Sequence, residues 1–257
     1  MQSKTNSTGG ADGEQLDVRA LAQALRDALD LKLPPVALSF AKERPAGVPE
    51  FRDEVPSACA LWRRAEHGVF FASAETHSNC PIGVLTMGFS MSEEQKLTLM
   101  DLVGKISELG YIHPAEAGNI PSVPGEKQGI VYGPLESFPG TPDAVLLWVS
   151  GAAAMLLSEA TGSARWSADR HGTPTFGRPS CAAIPVAVTS EAPTFSLGCT
   201  GMRTFTAVDP NLQLAVLPKG TLPQLRARLE AMTAVNAQMA NYYAAQSARF
   251  ARGGSAV

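Results

Sequence analysis

The sequence predicts an α/β or mixed α+β fold, in which a mixed sheet is covered by helices and a long C-terminal helix closes the chain. Three observations predict it. Strand-like apolar runs interleave along the chain with segments of helical period. The run Ala144-Val145-Leu146-Leu147-Trp148-Val149 is continuously apolar, the pattern of a central strand covered on both faces. Leu222 to Arg252 reads as one long helix, with Met232, Val235, Met239, Tyr242 and Tyr243 as an apolar face that suits either its own core or another subunit.

The elements follow in order. Residues 1–14 are polar and read as a disordered tail; 15–252 read as a single globular domain and 253–257 as a second tail. Leu21, Leu25 and Leu29 recur at helical spacing until Pro34-Pro35 stops the helix, and Val36 to Phe40 is a buried strand. Ser57 to Ala65 reads as a short helix closed by Gly68, and Val69 to Ala72 as a strand that leads into a loop at His77–Cys80, within the glycine-bearing stretch 76–88. Ser92 with Gln95 forms a capping box for a helix to about Gly110. Pro114 to Gln128 is a long polar loop. Gly129 to Gly133 is a strand, 151–161 a small-residue helix, and Ala164 to Pro179 a polar loop. Cys181 to Val188 is apolar and fits helix or strand. Thr194 to Leu197 leads to a turn at Cys199, and Gln213 to Leu217 is the last strand.

Composition narrows the function. The chain has 257 residues, 45% of them hydrophobic, and a net charge of −3 with both signs scattered, which argues against nucleic acid or an anionic membrane as partner. No run approaches the ~20 apolar residues of a membrane span. The N-terminal residues lack the apolar core of a secretory signal, so the expectation is a cytoplasmic protein.

Chemistry concentrates in two segments, Thr76-His77-Ser78-Asn79-Cys80-Pro81-Ile82-Gly83 and Gly198-Cys199-Thr200-Gly201-Met202-Arg203. Cysteine framed by glycine is a soft nucleophile where backbone can approach a ligand. The other cysteines are Cys59 and Cys181, the latter following Gly177-Arg178-Pro179-Ser180. No CxxC pair occurs, which disfavours a zinc ribbon, but four thiolates from separate loops could hold an iron–sulfur cluster. The competing reading is that the cysteines are small buried hydrophobes. For haem, His77 is the favoured imidazole and His171, beside Asp169 and Arg170, the second choice; His67 and His113 read as solvated helix-end residues. Arg203 and Arg178 would suit a propionate, phosphate or carboxylate, against the commoner role of a structural ion pair, an ambiguity shared by Arg63. Cys199 near Arg203 would alternatively be a low-pKa nucleophile. No Walker loop, GxGxxG fingerprint or Ser-His-Asp order is present.

Ala58-Cys59-Ala60-Leu61, His77 to Gly83, Val131-Tyr132-Gly133-Pro134-Leu135, Arg178-Pro179-Ser180-Cys181-Ala182 and Ser196 to Arg203 together resemble the family known as domain of unknown function 169, over about residues 20 to 230. The family occurs in archaea and bacteria, and much of it has no assigned activity. Some members resemble haem-dependent oxygenases that cleave the side-chain alkene of phenylpropenes such as anethole. The resemblance implies that the cysteine and histidine positions matter as a group.

Three readings follow. The first, and the favoured one, is an iron-dependent oxidoreductase, a haem-binding oxygenase with His77 as axial ligand and a small apolar or aromatic (phenylpropene-like) substrate. The second is an iron–sulfur protein held by Cys59, Cys80, Cys181 and Cys199, in electron transfer or sensing. The third is a non-catalytic small-ligand-binding domain with buried structural cysteines. The first two would involve an electron donor as well as a small molecule, and a homo-oligomer is a further expectation.

Overall fold

The computed structural model describes residues 16–162, 175–176 and 179–253, with side chains described through 250 apart from those of 175–176. The loop expected at 164–179, with His171 and Arg178, therefore lies almost wholly outside the described residues, as do both expected tails except residue 253.

Among the described residues seven strands form one sheet: β1 (Val36–Ala41), β2 (Phe70–Ser73), β3 (Gly129–Pro134), β4 (Ala144–Val149), β5 (Thr175–Phe176), β6 (Thr194–Ser196) and β7 (Gln213–Pro218). Their order is β2-β3-β1-β4-β7-β6-β5. Every pair is antiparallel except β5–β6, so the sheet is mixed and the fold is α+β. The continuously apolar strand is the middle one: all six residues of β4 are buried. Its register sets Leu146 opposite Val36 on one side and Val216 on the other.

Side chains alternate along each strand, so a sheet buried on both sides sorts its residues into two cores. Ala37, Val131, Val145, Leu147, Ala215 and Leu217 face α1 (Val18–Leu29), α6 (Gly151–Ala160) and α9 (Leu222–Gly253). Leu38, Ile130, Tyr132, Leu146, Trp148 and Val216 face the opposite way. On that side lie α2 (Ala60–Arg64), α3 (Pro81–Met87), α7 (Ala183–Ser190) and α8 (Thr200–Thr206). There α2 packs on α8 and α3 on α7. All four cysteines belong to this second layer.

The long helices obey their local signals. Asp17 caps α1 by accepting the Ala20 N–H at 2.9 Å, and Leu21, Leu25 and Leu29 are its buried stripe. The capping box of Ser92 and Gln95 starts α4 (Glu93–Glu108), which the short α5 (Pro114–Ala117) follows. α9 buries Leu222, Leu225 and Leu229 against the body, and Asn236 donates to Glu159 at 2.6 Å. Farther along, Met239, Tyr242, Tyr243 and Phe250 are exposed. No helix among the described residues is long and apolar enough to cross a membrane.

One sequence expectation changes and one open choice is decided. The 76–88 stretch is a 3-10 turn (Glu75–His77) followed by α3, because Pro81 sits in the first turn of that helix and Gly88 takes the left-handed position that ends it. The apolar stretch after Cys181 is helical, a 3-10 turn (Ser180–Ala182) running into α7.

The two halves of α9 should respond differently to truncation of a side chain. Leu225→Ala is expected to cost about 2–5 kcal/mol in urea unfolding. Tyr242→Ser, on the exposed half, should stay within about 0.5 kcal/mol.

Candidate functional site

The four cysteines arrive on four separate pieces of chain. Cys59, Cys80 and Cys199 precede the first turns of α2, α3 and α8, and Cys181 sits in the 3-10 turn before α7. All four are free thiols; Cys59 and Cys181 are buried, Cys80 and Cys199 half-buried. Two thiols act as helix caps: Cys80 Sγ accepts the Gly83 N–H at 3.3 Å, and Cys199 Sγ accepts the Met202 N–H at 3.4 Å.

Packing draws these pieces together. A Cβ on Gly83 would lie 2.6 Å from the Ala58 Cβ and 3.0 Å from Cys80 Sγ, so only glycine lets α3 come this close to the Cys59 segment. Ser57 Oγ bonds Cys59 Sγ at 3.0 Å and donates to Cys80 Sγ at 3.7 Å, tying two of the thiols to one hydroxyl. Ser180 Oγ accepts the Cys199 N–H at 2.6 Å and joins the other two segments. Gly198, at φ +89°, turns the chain where a Cβ would meet Met202 Cε at 2.4 Å.

The electrostatics record the same convergence. Burial pushes the Cys59 thiol up to about 12; the Ser57 hydroxyl opposes this, and charge on Cys80 and Cys199 adds to it. Cys181 is pushed up by burial, opposed by the Thr86 hydroxyl, and raised further by Cys80, Cys199 and Cys59. Both buried thiols thus feel the charge of Cys80 and Cys199, and Cys181 that of Cys59 as well, with no cationic side chain among the causes that act on either. Among the described residues, no three of His, Cys, Asp and Glu are grouped to hold one metal ion. A polynuclear cluster binds its thiolates through different irons and sets them farther apart than a single ion does.

His77 is placed otherwise. It is 1% exposed, its Nδ1 bonds the Ser73 carbonyl at 2.7 Å, and its Nε2 meets the Tyr132 hydroxyl at 3.1 Å. With Nδ1–H donating to the carbonyl, Nε2 accepts from Tyr132, so both ring nitrogens are engaged. Tyr132 is fully buried, its phenol pushed up by burial and by the charges of Cys181 and Cys59. The Trp62 indole nitrogen, also directed at this hydroxyl, closes no hydrogen bond.

Arg203 braces the Cys199 turn by donating from Nη2 to the carbonyls of Leu197 and Leu212, while its buried Nη1 has no hydrogen-bond partner among the described residues. Arg63 pairs with Glu66. His67 and His113 are exposed, and His113 caps α5. Sequence reasoning missed Ser57, Ser180, Thr86 and Tyr132 as neighbours of the thiols. The signal was present for two of them, in Ser57-Ala58-Cys59 and Ser180-Cys181.

Burial holds the His77 pKa down to about 4, with the bond to the Ser73 carbonyl opposing. The unfolded chain takes a proton near pH 6.5 that the folded chain refuses until about pH 4, so this residue's contribution to stability is lost as pH falls through that window. The loss amounts to about 3 kcal/mol at pH 4. His77→Asn should lack this component when urea unfolding of the two proteins is compared between pH 7 and 4.

Comparison with known proteins agrees with the arrangement of motifs. The model of the DUF169 family, described as uncharacterised ArCR, matches residues 24–227. An uncharacterized protein of Methanocaldococcus jannaschii is 27% identical over 228 residues, which covers 83% of this chain and 94% of that protein. No solved structure matches the chain. All four cysteines and His77 fall inside the matched span, and the chain belongs to the DUF169 family.

Proposed function

We propose that the chain is an iron–sulfur protein whose cluster is held by Cys59, Cys80, Cys181 and Cys199, acting in electron transfer or redox sensing. The observation that carries this reading is the gathering of four free thiols from four segments, Cys59 and Cys80 on one Ser57 hydroxyl and the Cys181 and Cys199 segments joined through Ser180, with both buried thiols under the charge of Cys80 and Cys199. Such a cluster supplies one-electron exchange at a potential set by charge, sulfur hydrogen bonds and exposure.

This chain's own residues do the rest. The Gly83 and Met202 N–H groups donate to Cys80 Sγ and Cys199 Sγ and fix where these sulfurs sit, and Ser57 serves Cys59 and Cys80. Burial keeps protons on Cys59 and Cys181 until positive charge arrives, so loading releases protons and is favoured by higher pH. Cys80 and Cys199 are the more open pair, which gives an electron-exchanging partner its approach.

A haem-binding oxygenase ligated through His77 draws less support. Coordination through Nε2 would displace the Tyr132 hydroxyl, and coordination through Nδ1 would leave the Ser73 carbonyl without that donor. The arginine expected at a propionate, Arg203, commits Nη2 to the Leu197 and Leu212 carbonyls, which fixes its guanidinium against the Cys199 turn.

Protein purified without oxygen is expected to carry iron and acid-labile sulfide in equal amounts and to show broad charge-transfer absorption. Ser in place of any of the four cysteines should remove most of it, and His77→Gln should retain it. A sharp Soret band lost in His77→Gln would favour the oxygenase. Iron-free, colourless protein after anaerobic purification and reconstitution would favour buried structural cysteines.

A further inference from the structure

Beyond the thiols lies a second feature that the cluster does not use. α4 has an apolar face of Leu99, Leu102, Val103 and Ile106, yet none of the helix's residues is fully buried. The face that should seal against the body instead spans a cavity of about 180 Å³. Leu102, Val103 and Ile106 of α4 line it together with Ile82 of α3, Cys199 with Gly201 at the start of α8, and Ile112 and Ile120 on either side of α5 in sequence.

The chemistry of this cavity is uniform. Its polar atoms are few, and the one hydroxyl on its wall, that of Tyr111, accepts the Thr200 N–H at 3.4 Å. The cavity is half open to solvent, yet its walls offer a water molecule few of the two to four polar partners it needs, so an apolar molecule gains by displacing that water. A charged ligand would lose its hydration against these walls without recompense. Size and lining therefore select a compact uncharged molecule, of the bulk of benzene or a short alkylbenzene.

We propose that the cavity between α4 and the Cys199 turn is a binding site for a compact, uncharged, hydrocarbon-rich molecule, held against the Cys199 edge of the thiol group. The binding stands on the cavity alone; its closeness to a redox centre rests on the iron–sulfur reading. Ile82 and Cys199 link the two sites directly, since Ile82 follows the Cys80 cap by two residues on α3 and Cys199 contributes to both. Tyr111, bonded to the first residue of α8, ties the wall of the cavity to the same turn.

The test uses the full chain as purified without oxygen, with ethylbenzene as probe and benzoate as its charged counterpart, followed by ligand-detected NMR titration. Ethylbenzene is expected to bind saturably at one site per chain, with benzoate weaker by about tenfold or more. Ile106→Trp, which fills the cavity, and Val103→Phe, a milder filling that guards against misfolding, should each lower ethylbenzene affinity by about tenfold or more and leave the thermal transition intact. No saturable binding, or equal affinity in a folded filled variant, overturns the site. Iron analysis of the same samples separates the two claims. Binding in iron-free protein keeps the cavity assignment and removes the cluster, whereas iron and sulfide without binding do the reverse.

Discussion

The constraint on which the molecule depends is that its sheet is buried on both faces. An antiparallel sheet can leave one side to water, and its strands then alternate apolar with polar residues. Here β3 and β4 are buried at every position, so helices must cover both sides. One side is sealed by α1, α6 and α9, and is uniformly apolar. The other is sealed by α2, α3, α7 and α8, of five to eight residues each, and every one of these begins at or just after a cysteine. Short helices bring many N-termini over a small area of sheet, which is how four cysteines far apart in sequence come to share a neighbourhood.

The interior of that neighbourhood is electrostatically unfinished. Burial and mutual repulsion raise Cys59 and Cys181, so the thiols are stable there only while protonated or while a positive centre lies between them. Beneath them Tyr132 and His77 satisfy one another and the Ser73 carbonyl, in the manner of a buried polar pair that fixes packing. The paired Tyr132 anchors the site face of the sheet, since its neighbours in register are Phe70 and Leu38.

Much of this was legible in the sequence, and the failures have physical reasons. The unbroken apolar run at 144–149 identified the middle strand, and the capping box at Ser92 located α4 to the residue. The cysteine–glycine turns were found, but not the helix that follows the first of them, in which Pro81 and Gly88 occupy the two ends where such residues are at home. The role of His77 could not be read locally, since its partner Tyr132 lies 55 residues away and only strand pairing brings them together. The same holds for Ser180 and Cys199, 19 residues apart, and for the brace that Arg203 forms with Leu212. Spacing in sequence reports which residues could act; register and helix packing decide which of them meet.

The most direct test of the account is a crystal of anaerobically prepared protein, with anomalous diffraction recorded on both sides of the iron absorption edge. The account predicts one compact, polynuclear iron peak enclosed by the sulfurs of Cys59, Cys80, Cys181 and Cys199, with His77 still bonded to Tyr132. A single iron at the His77 ring, or no iron peak between the four sulfurs of reconstituted protein, would contradict it.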